Sequence, residues 1–188
     1  MNKANALVVV DFQKDFVSGA LGFEAAQKIE EKLRGKIIDH WRNGGTVIFT
    51  YDTHETDYMN TNEGKNLPVP HCIIGTPGWE LTDQIKMAHD WGVRNGYPCY
   101  DIQKPTFGSL GLINVINDLV ESTDGESGVT LEFTGVVTNI CVISNAVVAK
   151  ATAPDANIIV NKGLCASNDP ELEQKAYDIL RNLHIEVK

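Results

Sequence analysis

The amino-acid sequence predicts an α/β protein with a doubly wound, six-stranded, mainly parallel sheet that carries helices on both faces. Short apolar runs alternate along the chain with longer segments whose apolar residues recur every three or four positions. This alternation is typical of parallel strands joined by crossover helices. The 188 residues suffice for one sizeable core, and no linker rich in proline, glycine or serine divides them. We therefore expect a single domain over residues 1–188.

The first half of the chain provides three strands and two helices. Residues 6–10 are an unbroken apolar run, as expected of a buried strand. In residues 24–43 the apolar positions recur at helical spacing, and the pair Gly44-Gly45 ends this helix. The other elements of this half are a strand at 46–51, a short helix at 79–87 and a strand at 100–103.

The second half continues the alternation with three helices and three strands. In residues 108–120 four apolar positions fall on one helical face, and residues 129–133 again form an apolar strand. The remaining elements are a helix at 139–150, a strand at 156–160, a helix at 170–183 and a strand at 185–187. The connection from residue 52 to residue 78 is long and without clear periodicity, and connections of that kind tend to be functional.

Composition limits the class of partner. The net charge of -9 and the pI near 4.9 argue against nucleic acid, which requires a basic surface, and favour a small-molecule substrate. The four cysteines lie far apart and form no CxxC pair, so we expect reduced thiols in the cytoplasm. No apolar stretch is long enough to span a membrane, and the N-terminal residues 1–6 lack the pattern of a signal peptide.

Chemically capable side chains follow four of the predicted strands. Asp11 follows the first strand, Asp52 and His54 the second, Lys104 the third and Cys141 the fourth. Ligands of open α/β sheets bind beyond the carboxyl ends of the strands, so we expect these residues to converge at one edge. Each taken singly also has a structural explanation as a cap, a turn or a solvated charge. Together they supply a nucleophile, a base and a balancing cation.

Cys141 is the candidate nucleophile. The predicted helix at 139–150 places it in a first turn, where free amides and the helix dipole favour the reactive thiolate. The alternative is a buried cysteine that acts only as a small hydrophobic residue.

Three ordered segments resemble the isochorismatase-like cysteine hydrolases, the family that includes nicotinamidases. They are VVVDFQKDF at residues 8–16, KPTFGS at 104–109 and GVVTNICV at 135–142. The resemblance implies that family's fold and a catalytic triad of Cys141, Asp11 and Lys104. It also implies a cis peptide bond between Val136 and Val137, in a turn that aims the N–H groups of Val137 and Cys141 at a developing oxyanion.

A second group of residues points to a metal. Asp52 and His54 stand two residues apart at a strand end, and the long connection could bring His71 to the same place. Two imidazoles and a carboxylate suit zinc, iron or manganese, whereas the alternative is a pair of solvated histidines. The resemblance implies these three residues as ligands of a divalent metal, with zinc expected. A second histidine of some members is Asn60 here, and Glu63 is the best substitute.

The substrate implied by the resemblance is a small amide such as nicotinamide, cleaved to a carboxylate and ammonia through a thioester. Phe16 and Phe107 are the expected pocket residues. Nicotinamidases commonly carry a tryptophan where this chain has Leu67-Pro68-Val69-Pro70. Open alternatives are another small amide or carbamoyl compound, the vinyl ether of an isochorismatase, and a noncatalytic ligand-binding role. The resemblance also implies a homo-oligomer, either a dimer or a tetramer.

Overall fold

The computed structural model describes residues 3–188 and contains a six-stranded sheet in which all paired strands run parallel. The order across the sheet is β3-β2-β1-β4-β5-β6, which confirms the predicted fold class. The strands are β1 (Ala4–Val10), β2 (Thr46–Asp52), β3 (Cys99–Lys104), β4 (Val129–Val136), β5 (Asn157–Ala166) and β6 (Glu186–Val187).

Helices cover both faces of this sheet, and each face has its own apolar core. The helices are α1 (Lys14–Val17), α2 (Glu24–Arg42), α3 (Asn62–Asn66), α4 (Asp83–Arg94), α5 (Gly111–Glu121), α6 (Ile143–Thr152) and α7 (Pro170–Asn182). Buried side chains of α2 and α4 pack on one face, and those of α5, α6 and α7 pack on the other. No helix among residues 3–188 is long and apolar enough to cross a membrane.

The strand order reverses between β1 and β4, and this places a crevice beyond their carboxyl ends. Val10 pairs with Thr50 of β2 on one side and with Gly135 of β4 on the other. Gly135 has a φ of 106°, and a Cβ there would lie 2.2 Å from the carbonyl oxygen of Val10. Only glycine fits this contact, so a small residue permits the close approach of the two central strands.

The predicted helix at 79–87 was wrong in its bounds. A 3-10 turn at Pro77–Trp79 comes first, and α4 begins only at Asp83 and runs on to Arg94. The reason is tertiary, because Leu81 forms an antiparallel bridge with Gln13 and holds the chain extended between the two elements. Gly96, with a φ of 74°, lies just beyond the end of the helix.

Candidate active site

The carboxyl ends of β1, β2 and β3 bring two acids and a lysine together in the interior. The Nζ of Lys104 lies 2.6 Å from Oδ2 of Asp11 and 3.3 Å from Oδ1 of Asp52. All three side chains are at most 3% exposed. The hydroxyl of Thr50 donates a hydrogen bond of 2.7 Å to Oδ1 of Asp11. One buried ammonium group therefore stabilises two carboxylates that would otherwise repel each other.

Cys141 approaches this cluster from the end of β4. Its Sγ lies 3.6 Å from the Nζ of Lys104. The residue belongs to a π-helical turn, Thr138–Val142, that precedes α6. The predicted helix at 139–150 is therefore two elements, a π-helical turn and an α-helix, and turns of this kind often occur at functional sites. The structure thus places Cys141, Asp11 and Lys104 within one buried cluster.

The charge state of Cys141 differs from the expectation based on its position at a helix start. Burial raises the pKa of the Cys141 thiol well above its usual range, and the nearby charge of Asp11 raises it further, while Lys104 opposes both. Burial also raises the pKa of Asp11, against the effect of Lys104. Desolvation and the facing carboxylate both disfavour the thiolate. The Cys141 thiol therefore keeps its proton at rest, and the nucleophilic role predicted for it requires a base.

The two valines assigned to the oxyanion site lie where β4 meets the π-helical turn. The peptide bond between Val136 and Val137 is cis. The carbonyl oxygen of Val137 accepts hydrogen bonds from the amides of Ile140 and Val142, at 3.0 and 3.2 Å. These bonds attach the turn that carries Cys141 to the end of the strand.

Four residues form a compact group of metal-ligating atoms beside the triad. One donor atom each from Asp52, His54, Glu63 and His71 lies within 4.8 Å of every other. The Nε2 of His54 is 3.0 Å from Oδ2 of Asp52 and 3.5 Å from Oε1 of Glu63. The Nε2 of His71 is 3.4 Å from the same Asp52 oxygen and 3.7 Å from the same Glu63 oxygen. The structure thus brings together all the residues that were predicted as ligands.

These residues fit a divalent cation. Ligand atoms about 2.0–2.1 Å from one tetrahedral ion lie about 3.4 Å apart, close to the separations found here. The Nδ1 of His71 lies 2.8 Å from the carbonyl oxygen of Val69; donation of its proton there leaves Nε2 free to bind a metal. Although burial opposes it, hydrogen bonds and charge interactions with Asp52 and Glu63 raise the pKa of His54 to about 9.

A cavity of 560 Å³ opens beside the metal-ligating group. Its volume lies within the range of small-molecule sites. The walls combine polar side chains of the long connection with apolar side chains: His54, Thr61, Asn62, Glu63, Asn66, Leu67, Pro105, Thr106, Phe107 and Ile140. Phe107, one of the two residues predicted for the substrate pocket, lines this cavity. Phe16 does not line this cavity; it is 7% exposed and packs edge-on against the ring of His71, at 5.3 Å between ring centroids.

Sequence reasoning missed two buried residues that hold the site together. Gln13 accepts a hydrogen bond from the backbone N–H of Asp52 and donates one to its carbonyl oxygen, at 2.8 and 2.9 Å. Asn145 donates to the carbonyl oxygens of Phe107 and Cys141, at 2.9 and 2.8 Å. Gln13 stands two positions after Asp11, and Asn145 stands four after Cys141. The sequence did contain a signal for Asn145, because a polar residue four positions after Cys141 lies one helical turn away from it.

The comparisons with known proteins identify the family and support the fold. The Isochorismatase domain family matches residues 5–187. No functionally curated protein matches the chain. The crystal structure of a nicotinamidase/pyrazinamidase from Bacillus subtilis is similar, with 26% sequence identity and a TM-score of 0.84 over 98% of each chain.

Two further solved structures are similar over nearly their whole length. A pyrazinamidase/nicotinamidase from Streptococcus mutans is 26% identical, with a TM-score of 0.83 over 98% of this chain and 100% of the other. A pyrazinamidase from Pyrococcus horikoshii, solved in complex with zinc, is 23% identical, with a TM-score of 0.74 over 98% of each chain. At this identity the second likeness bears on the fold alone.

Proposed function

The chain belongs to the isochorismatase family, and we propose that it is a metal-containing cysteine amidohydrolase that converts a small, nicotinamide-like amide to a carboxylate and ammonia. The family and fold support a hydrolase of small amides. The observation that carries the proposal is the buried contact of Cys141 with Lys104, whose ammonium group in turn lies 2.6 Å from Asp11. These groups supply a nucleophile, a base and a fixed cation.

The first half of the proposed reaction forms a thioester. Asp11 accepts the proton of the Cys141 thiol, and the sulfur forms a bond to the amide carbonyl carbon. The N–H groups of Val137 and Cys141 stabilise the oxyanion of the tetrahedral intermediate. Asp11 then gives its proton to the leaving nitrogen, the carbon–nitrogen bond breaks, and ammonia departs.

The second half releases the acid. Asp11 removes a proton from a water molecule, whose oxygen attacks the thioester carbon, and the carbon–sulfur bond breaks. The sulfur takes back a proton, and the carboxylate product leaves. Throughout both halves, Lys104 keeps a positive charge beside Asp11, because neighbouring carboxylates and the sulfur raise its pKa against the effect of burial.

Asp52, His54, Glu63 and His71 would hold the divalent cation, with zinc as our proposal. Bound there, the cation supplies Lewis acidity that can hold a ring nitrogen or a carbonyl oxygen of the substrate. The Oδ2 of Asp52 lies 3.0 Å from the Nε2 of His54 and its Oδ1 lies 3.3 Å from the Nζ of Lys104, so Asp52 connects the proposed metal site to the proposed triad. This arrangement favours a substrate that places a polar ring atom at the cation and, at the same time, its amide group beside Cys141.

Ammonia release from a panel of amides tests the proposal. We expect turnover of nicotinamide or pyrazinamide by the wild-type protein and its loss in Cys141→Ala. Cys165→Ala is the matched control, because Cys165 is 5% exposed and Cys141 4% exposed. Substantial hydrolysis by folded Cys141→Ala would refute the covalent mechanism.

A second candidate is hydrolysis of another small amide or a carbamoyl compound. The observation in its favour is that two aliphatic side chains, Leu67 and Ile140, line the cavity beside Phe107. Neither side chain offers an aromatic face for a pyridine ring. If an N-carbamoyl amino acid in the same panel is turned over faster than nicotinamide, the result would favour this alternative.

A further inference from the structure

A second group of metal-ligating side chains lies at the edge of the sheet, away from the active site. His89 projects from α4, while Cys99 and Asp101 lie on the edge strand β3. One donor atom from each of these three residues lies within 4.8 Å of the other two. His89 and Asp101 line a surface cavity of 510 Å³, here called the edge groove, together with residues that include Tyr51, Trp79 and Gln103.

Strand geometry explains why these residues meet. Cys99 and Asp101 are two positions apart on β3, so their side chains point to the same face of the sheet. Register pairs Asp101 with Phe49 of β2, on the face that α4 covers. Asp52 lies three residues after Phe49 on β2, and Lys104 lies three residues after Asp101 on β3. Because successive side chains of a strand alternate between faces, Asp52 and Lys104 point to the opposite face. The edge groove and the active site are therefore separate.

Surrounding contacts orient the imidazole of His89 as they would a metal ligand. Its Nε2 lies 3.1 Å from both carboxylate oxygens of Asp101. Its Nδ1 lies 3.2 Å from Oδ1 of Asp90; when Nδ1–H donates there, the lone pair of Nε2 faces the Asp101 carboxylate and can bind an ion held between the two side chains. The ring also packs edge-on against Phe49, with centroids 5.1 Å apart.

Asp101 is held in a similar way. The hydroxyl of Tyr51 donates a hydrogen bond of 3.0 Å to its Oδ1, and its Oδ2 faces the Nε2 of His89 at 3.1 Å. The carboxylate is 48% exposed, so an ion can reach it from solvent. His89 and Asp101 thus each have an outer partner, Asp90 and Tyr51 respectively, which is the pattern found around metal sites.

We propose that His89, Cys99 and Asp101 bind a divalent transition-metal ion of the zinc class in the edge groove. Imidazole nitrogen, thiolate sulfur and carboxylate oxygen are the ligand types that zinc accepts. On binding, the Cys99 thiol gives its proton to solvent and the thiolate becomes a ligand. Three protein ligands leave a fourth position for water or a small ligand that enters the groove.

Cobalt(II) replaces zinc in such sites and gives the experiment a direct readout. A sulfur-to-cobalt charge-transfer band requires a thiolate ligand, whereas the group proposed at the active site offers only nitrogen and oxygen. Titration of the full chain with cobalt(II) is therefore expected to produce the band in the wild-type protein. The band should also appear in the double variant His54→Ala/His71→Ala, which tests the site independently of the proposed function.

Three variants complete the experiment. Cys99→Ser should abolish the band, and Asp101→Asn should weaken cobalt affinity by at least about 10-fold. Asp118→Asn, which removes a carboxylate from α5 outside the groove, should leave the affinity unchanged. Circular dichroism establishes that each variant is folded; should Cys99→Ser not fold, Asp101→Asn decides the outcome. A band that persists in folded Cys99→Ser, an affinity unchanged by Asp101→Asn, or a wild-type protein without the band would overturn the proposal.

Discussion

Replacement of Lys104 by methionine should destabilise the protein strongly. Methionine keeps most of the length of the side chain but removes the charge that lies 2.6 Å from Asp11 and 3.3 Å from Asp52. Two carboxylates would then remain buried without their cation. Loss of one partner from a buried ion pair costs about 3–5 kcal/mol of the free energy of unfolding. For a chain of this size that corresponds to a fall in Tm of about 6–20 °C.

Lys175→Met is the matched control. Lys175 also lies 2.6 Å from its partner, Glu171, but the two side chains are 60% and 79% exposed. An exposed pair of this kind contributes less than about 1 kcal/mol, so the control should melt within a few degrees of the wild-type protein. Thermal unfolding followed by circular dichroism gives both values. If Lys104→Met lowers Tm no more than Lys175→Met does, the reasoning about the buried cluster is refuted.

Three further predictions concern activity, metal and stability. The value of kcat/KM for the amide that is turned over should fall as the pH decreases, with a midpoint above 3.8. The reason is that burial raises the pKa of Asp11, and only its charged form accepts a proton. A midpoint at or below 3.8 would contradict this. Gln13→Ala should lower metal affinity about 10–100-fold in a chelator competition, since Gln13 positions Asp52, whereas Gln27→Ala should not. Asn145→Ala should cost about 1–3 kcal/mol in urea denaturation by breaking buried hydrogen bonds, and an unchanged midpoint would argue against that role.

The sheet was predictable because its strands are short apolar runs that local sequence defines. The run at residues 6–10, for example, is the fully buried part of β1. The same pattern located the ends of the strands, and with them Asp11, Asp52 and Lys104. The helix at 79–87 failed because a contact between Leu81 and Gln13, distant in sequence, decides where α4 begins.

The contacts that assemble the site depend on pairs far apart in the chain. Gln13 reaches Asp52 across 39 positions, and Asn145 reaches Phe107 across 38. Local periodicity carries no information about such pairs. The placement of Glu63 had a local signal, because Thr61 accepts a hydrogen bond from the amide of Gly64 and caps the short helix α3. That cap fixes the helix that carries Glu63.

The charge state of the nucleophile also lay outside local sequence. A position at a helix start favours thiolate, but the three-dimensional structure encloses Cys141 and places it near Asp11. Those surroundings favour the protonated sulfur in the resting protein, and in the proposed mechanism Asp11 removes that proton before attack. The central claim is therefore that Cys141 becomes acylated only during turnover.

Rapid acid quench during turnover of nicotinamide, or of the best amide in the panel, tests this claim most directly. Mass spectrometry of the digested protein should find the acyl group of the substrate on the peptide that contains Cys141, at a level that rises within the first turnover. The adduct should be absent when Cys141→Ala is treated in the same way. Full turnover by the wild-type protein with no acylated Cys141 at any quench time would contradict the account.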